Sequence, residues 1–278
     1  MKNNMLVNMH DVLKDAQKNQ YAVALFNVVT LEMARGVLEA AEALKAPVIM
    51  GTAEVLLKYT PLEELADLLI PMAKRAAVPV VVHFDHGLTE ERILQAMDLG
   101  FSSVMYDCSS CTNEENASRV AALTKIAHAR GCTVEAELGH VGAMEADCDL
   151  YTDPDQALDY VERTGVDALA VAIGTAHGIY KSAPKLELAR LDQIAAKVDT
   201  PLVLHGGSGL TEQNFRDCIH HGISKVNIFT DINQAALRAA HDQYASERGM
   251  SVVVPAVVEA VRMAAMKKMR IFGSENRA

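Results

Sequence analysis

No stretch of this 278-residue chain reaches the ~18 consecutive apolar residues of a membrane span, and Met1 to His10 lack the apolar centre of an export signal. Positive charge is scarce: 26 Lys and Arg against 36 Asp and Glu leave a net charge of −10. That balance argues against a nucleic-acid partner, which would meet a basic surface, and nothing in the chain suggests a membrane partner. A local phosphate site stays compatible with it, because such sites are made by oriented dipoles rather than bulk charge. Cysteines number five, an odd count; without an export signal they are expected as reduced thiols in a cytoplasm. Cys108 and Cys111 form a C-x-x-C with no second pair, which reads as two small residues in a loop rather than a zinc ribbon. Tryptophan is absent, which excludes nothing. No low-complexity stretch divides the chain, so one domain is expected over 1–278.

What is present is a repeated unit. Ala46-Pro47-Val48-Ile49-Met50-Gly51, Val78-Pro79-Val80-Val81-Val82-His83 and Thr200-Pro201-Leu202-Val203-Leu204-His205 each open with X-Pro and run through apolar residues to Gly or His. Proline can open a strand, where its missing N–H matters least. A second form, at Gly100, Gly165 and Gly222, opens with the glycine that ends a preceding helix. Together the runs predict strands near 21–26, 47–51, 79–84, 103–106, 133–138, 168–173, 201–205 and 224–228. Helical patterns fall near 31–44, 62–76, 89–99, 113–130, 153–164, 186–197, 211–221 and 231–247, with a last amphipathic stretch at 254–269. Thr89, Asp153-Pro154 and Thr211 read as N-terminal caps. Eight alternations in about 250 residues fit an α/β fold, a (β/α)8 TIM barrel with an extra C-terminal helix. The rival is a doubly wound open sheet, which would want a G-x-G-x-x-G turn after the first strand. That turn is Asn27-Val28-Val29-Thr30.

In a barrel the C-terminal strand ends converge on one face, where catalytic groups collect. Here those ends carry Asn27, Gly51-Thr52, Asp85-His86, Asp107, Glu137, His177-Gly178, His205 to Gly209, and Asn227 with Thr230. Three imidazoles from three strand ends, His86, His177 and His205, make a catalytic zinc arrangement with an open fourth position. Asp107 and Glu137 could orient them or act as alternative ligands. His83 is expected one step below the site in a structural role, His140 is ambiguous, and His10, His128, His220, His221 and His241 are expected at the surface or in caps. The run from His205 through Gly206, Gly207 and Ser208 to Gly209 is expected to open the seventh barrel helix, and Asn227 to Asp231 the eighth, where this fold binds phosphate. A metal, a phosphate site and free carboxylates point to carbanion chemistry on a phosphorylated carbonyl compound.

These residues resemble those of the class II, zinc-dependent fructose-bisphosphate and tagatose-bisphosphate aldolases. The matching stretches are Ala24 to Asn27, His83-Phe84-Asp85-His86-Gly87, Glu135-Ala136-Glu137-Leu138-Gly139, Tyr151 to Pro154, Ala172 to Gly178, Leu204 to Gly209 and Lys225 to Ile228. They lie in family order across nearly the whole chain. The resemblance implies a Zn2+ held by His86, His177 and His205, with a second metal position at Asp107 and Glu137. It implies that Asp85 exchanges the proton of the hydroxyl on the carbon that becomes the aldehyde. Glu145, on a mobile loop, would handle the proton on the enediolate carbon. Gly178, Gly206, Gly207, Ser208, Asn227, Ile228, Phe229 and Thr230 would hold dihydroxyacetone phosphate, with Asn27 also at the substrate. A monovalent cation near the phosphate and a homodimer or homotetramer are further family habits.

The expected activity is therefore cleavage of a ketose phosphate, fructose- or tagatose-1,6-bisphosphate-like, to dihydroxyacetone phosphate and an aldehyde. The alternatives are a singly phosphorylated ketose on the same machinery and a metal-dependent hydrolase of the same fold. Departures from the family pattern gather at the aldehyde half. Ala53 stands where many members have Ser, Glu54-Val55-Leu56-Leu57 replaces small residues, Cys108-Ser109-Ser110 follows Asp107, Phe229 replaces an Asp, and the loop 142–151 is short. Arg262, Arg270 and Arg277 read as solvated charges rather than ligands of a distal phosphate.

Overall fold

The short apolar runs become eight parallel strands that close on themselves in sequence order: β1 (Val23–Asn27), β2 (Val48–Ala53), β3 (Val80–Gly87), β4 (Ser103–Tyr106), β5 (Thr133–Leu138), β6 (Ala168–Val171), β7 (Leu202–Leu204) and β8 (Ile223–Ile228). The computed structural model describes residues 4–139, 151–178, 184–244 and 248–278. The connecting helices are α2 (Leu31–Leu44), α3 (Leu62–Arg75), α4 (Glu90–Leu99), α5 (Asn113–Ala129), α6 (Pro154–Thr164), α7 (Leu188–Ala195), α8 (Glu212–His220) and α9 (Thr230–Tyr244). The expected C-terminal helix is α10 (Met250–Ile271). It crosses α2 at Gly36, where a Cβ would lie 2.7 Å from the Val258 carbonyl oxygen. The fold is the (β/α)8 barrel, and the open-sheet alternative falls because β8 pairs with β1.

One element goes beyond expectation. The N-terminal segment forms α1 (Met9–Lys18), opened by a reciprocal cap between Asn8 and Asp11. Its apolar side, Met9, Val12, Leu13 and Ala16, packs against inward-facing Val23, Leu25, Ile49, Val81, Ala170 and Val203. The helix thus plugs the N-terminal mouth of the barrel. The signal was present as apolar residues at i, i+3, i+4 and i+7 after an Asn cap.

The cap expected at Thr89 is also corrected. Its side chain does not cap α4. The Thr89 hydroxyl donates instead to Glu54 at the end of β2, and Glu54 also accepts from the Leu88 and Thr89 amides. A carboxylate from a neighbouring loop replaces the local hydroxyl because it can accept all three donors at once. Asp153 and Thr211 do cap α6 and α8.

Alternation does the rest. Successive side chains of a strand face opposite sides, so each strand sends one series inward. On β3 that series is Val81, His83, Asp85; on β5 it is Thr133, Glu135, Glu137; on β8 it is Lys225, Asn227. The lower interior is apolar, and the upper interior is a layer of buried polar groups.

Candidate functional site

Asp85 and His86 are consecutive, so an undisturbed strand would send them to opposite faces. The β3–β4 register breaks there: Phe84 pairs with Val104 but Gly87 with Tyr106, so three steps on β3 answer two on β4. His86 takes up the extra residue with φ at 42°, a left-handed conformation that costs of order 1–3 kcal/mol and persists where the surroundings enforce it. The bulge re-aims the side chain, and both residues line one cavity of about 510 Å³ at the C-terminal strand ends.

Candidate ligand atoms of His86, His177 and His205 lie within 4.8 Å of one another. The ring centroids are 4.6 Å apart for His86 and His205, and 5.1 and 5.8 Å from each of these to His177. Nε2 of His86 is buried without a hydrogen-bond partner, and Nδ1 of His205 is buried 3.3 Å from Glu137 Oε2. Their other nitrogens meet carboxylates, Asp107 Oδ2 at 2.7 Å from His86 Nδ1 and Glu135 Oε1 at 2.8 Å from His205 Nε2. Imidazoles oriented from behind by carboxylates, with nitrogens converging in front, fit a divalent metal. His86, Asp107 and Glu137 form a second group whose candidate ligand atoms lie within 4.8 Å, which keeps the expected second position open. Ser109, one of the departures, donates its amide and hydroxyl to Asp107 Oδ1.

Asp85 is 1% exposed. Asn27 Nδ2 donates to its Oδ2 at 2.7 Å, and Asn227 Nδ2 lies 3.1 and 3.2 Å from its two oxygens. Burial alone would raise its carboxyl, but the neighbouring His86, His83 and Lys225 outweigh burial and hold it well below the usual carboxylate range. Burial likewise opposes ionisation of Glu135, yet Lys225 and His205 draw it down to about 2. Asp107 is lowered in the same way by His86 and Ser109. Around His205 burial disfavours the cation, whereas Glu135 and Glu137 raise it to about 10; a metal at Nδ1 would displace that proton.

The far side of the cavity is the glycine run. Gly206 has φ at 65°, and a Cβ there would meet the Ala176 carbonyl oxygen at 2.4 Å. The Phe229 amide donates to Ser208 Oγ at 3.4 Å, tying the two loops together. Gly178, Gly207, Ser208, Asn227, Ile228, Phe229 and Thr230 all line the cavity with Asn27. The glycine run does not itself open a helix as expected: α8 starts only at Glu212, capped by Thr211. Gly206 and Gly209 take positive φ in a loop that stays non-helical, whereas α9 starts directly at Thr230.

Every expected site residue among those described therefore reaches the same cavity or borders it. Glu145 and His140 lie outside the described residues. His83 is fully buried below the site, with Nδ1 2.8 Å from Ser103 Oγ. Arg277 lies over the Tyr21 ring, beside the start of β1 at the opposite end of the barrel, and Arg262 pairs with Glu259. Cys108 and Cys111 are free. Sequence reading missed Glu135 and Lys225 as participants. A lysine between Ser224 and Val226 in a core strand was the available signal, since a charge there needs a buried partner.

The sequence profile described as "Fructose-bisphosphate aldolase class-II" matches residues 7–277. YdjI of Escherichia coli strain K12 is 39% identical over 279 residues, covering 99% of this chain and 100% of that one. A fructose-bisphosphate aldolase of Staphylococcus epidermidis is 37% identical over 286 residues, covering 98% and 99%. The crystal structure of the YdjI aldolase superposes with a TM-score of 0.92 over 99% of this chain and 100% of that one. A putative fructose-1,6-bisphosphate aldolase from Coccidioides immitis superposes at 0.90 with 28% identity, over 100% and 99%.

Proposed function

The chain belongs to the class II fructose-bisphosphate aldolase family, and we propose that it is a zinc-dependent aldolase that reversibly cleaves a ketose phosphate to dihydroxyacetone phosphate and an aldehyde. One observation carries this reading: the three-histidine cluster, the buried ionised Asp85 and the glycine loop line or directly border a single cavity. His86, His177 and His205 would hold the ion, with Asp107 and Glu137 beside them as a second position. Bound there, a divalent ion supplies a Lewis acid for the ketone carbonyl.

The chain's own groups supply orientation and proton transfer. The loop amides around Gly206, Gly207 and Ser208, with Gly178 and the residues from Asn227 to Thr230, grip the phosphate and fix the ketone half. A monovalent cation beside the phosphate is part of the same reading. Asp85, ionised at neutral pH, takes the proton from the hydroxyl on the carbon that becomes the aldehyde. The adjacent carbon–carbon bond breaks, its electron pair stays on the ketone half as an enediolate, and a proton returns to that carbon. Glu145 is the proposed donor of that proton.

The aldehyde half would face Ala53, Val55, Leu56, Leu88 and Phe229, all of which line the cavity. This apolar wall favours, as a second reading, a ketose phosphorylated at one end only. Both readings are tested by mixing zinc-loaded protein and dihydroxyacetone phosphate with a panel of aldehydes, including glyceraldehyde 3-phosphate and longer unphosphorylated ones. No carbon–carbon bond formation with any of them sinks the aldolase reading, and hydrolysis of esters or amides instead would favour a hydrolase. Preference within the panel separates bisphosphate from monophosphate substrates. The expected homodimer or homotetramer is decided by light scattering.

A further inference from the structure

Lys225 points into the barrel interior with no solvent exposure. Its Nζ lies 2.7 Å from Glu135 Oε2 and 2.8 Å from Asn227 Oδ1. An ammonium group only donates. We propose that Lys225 is a positioning residue that sets the donor–acceptor polarity of both halves of the site, the metal ligand His205 through Glu135 and the proton-transfer group Asp85 through Asn227.

On the first branch, Glu135 accepts from Lys225 with one oxygen and from His205 Nε2 with the other, at 2.8 Å. Nε2 must therefore keep its proton, which leaves Nδ1, buried 3.3 Å from Glu137 Oε2 on the side of the other two histidines, as the nitrogen for a metal. On the second branch, the amide of Asn227 could in principle sit either way round. Turned over, its NH2 would face the ammonium and its oxygen would face the Asp85 carboxylate, and both contacts would repel. Lys225 selects the orientation in which Nδ2 donates to Asp85 at 3.1 and 3.2 Å. The 3.3 Å approach of Asn227 Nδ2 to His205 Nε2 is then a meeting of two donors, each aimed at its own carboxylate. A single cation so orients a ligand just past β7 and a carboxylate on β3 without touching either.

Two variants test this. Lys225→Met keeps the apolar stem and removes the donors. Glu135→Gln keeps the shape, but its amide oxygen must face Lys225, so its NH2 faces Nε2 and drives the imidazole proton onto Nδ1. The readouts are metal affinity by chelator competition, the absorption spectrum of the cobalt(II)-substituted protein, histidine 15N shifts, and kcat with KM. Both variants are expected to fold, lose about 10- to 100-fold in metal affinity and change the cobalt spectrum. Glu135→Gln should move the His205 proton to Nδ1, and metal-saturated Lys225→Met should lose more in kcat than in KM. Wild-type metal affinity and cobalt spectrum in both variants would overturn the proposal. If Lys225→Met fails to fold, Glu135→Gln decides by the same measurements. The kinetic arm rests on the aldolase reading and the metal arm does not, so a wild-type protein without aldol activity fails that reading alone.

Discussion

Asp107 at the end of β4 holds Nδ1 of His86 at 2.7 Å and so turns Nε2 toward His177 and His205. The carboxylate fixes both the ring's rotation and its tautomer. Asp107→Ala is expected to weaken metal binding by about 10- to 100-fold, and His177→Ala to lose the metal outright. Chelator competition and metal content read both. Chelation should abolish activity and added zinc restore it; Asp107→Ala with wild-type affinity would remove the carboxylate's assigned role.

Asp85 tests the proton transfer separately from the metal. Asp85→Asn keeps the shape and loses the charge that receives a proton. The expected fall in kcat is about 10²- to 10⁴-fold, with metal content unchanged, because the ring nitrogens still converge. A coupled cleavage assay on metal-analysed protein measures it. A variant within threefold of wild type would move the acid–base role elsewhere.

Gly206 and Gly131 both have positive φ, 65° and 72°. They differ in surroundings: a Cβ at Gly206 collides with the Ala176 backbone, whereas one at Gly131 meets nothing within 4 Å. Gly131→Ala should cost about 1 kcal/mol from backbone strain alone and leave KM unchanged. Gly206→Ala should cost more and raise KM for dihydroxyacetone phosphate, because the loop must shift. Urea unfolding and steady-state kinetics compare the two. Equal costs would mean the loop yields freely.

Burial raises the thiols of Cys132 and Cys218 to about 12 and that of Cys108 to about 11. At pH 8 almost none of Cys132 or Cys218 is thiolate, the reactive form. Folded protein treated with iodoacetamide should be modified at half-buried Cys111 first among the described cysteines. Cys132 and Cys218 should react only after denaturation. Peptide mass mapping follows this, and early labelling of Cys218 would report opening of α8.

Much of the fold could be read from local pattern, for a physical reason. Each strand is a short apolar run that opens with Pro or follows a helix-ending Gly, and each barrel helix carries its own periodicity, so eight alternations are countable without long-range knowledge. The plugging helix α1 is equally local, an Asn8 cap followed by apolar Met9, Val12, Leu13 and Ala16. Thr89 shows the opposite case. Its cap looked local, and a carboxylate 35 residues away displaced it.

The sequence by itself determined the order of the strands, the residues at their ends and hence which side chains could meet: His86, His177 and His205, Asp85, and the glycine run from Gly206. These follow from period and punctuation, which are properties of neighbouring residues. The tertiary structure alone decided how they meet. The bulge that lets consecutive Asp85 and His86 share one cavity exists only against β4. Lys225 and Glu135, 90 residues apart, become partners only when the closed barrel brings β5 and β8 to face one interior. A buried charge announces that it needs a partner; which partner depends on strand register and closure, and those are set by the packing of the whole barrel.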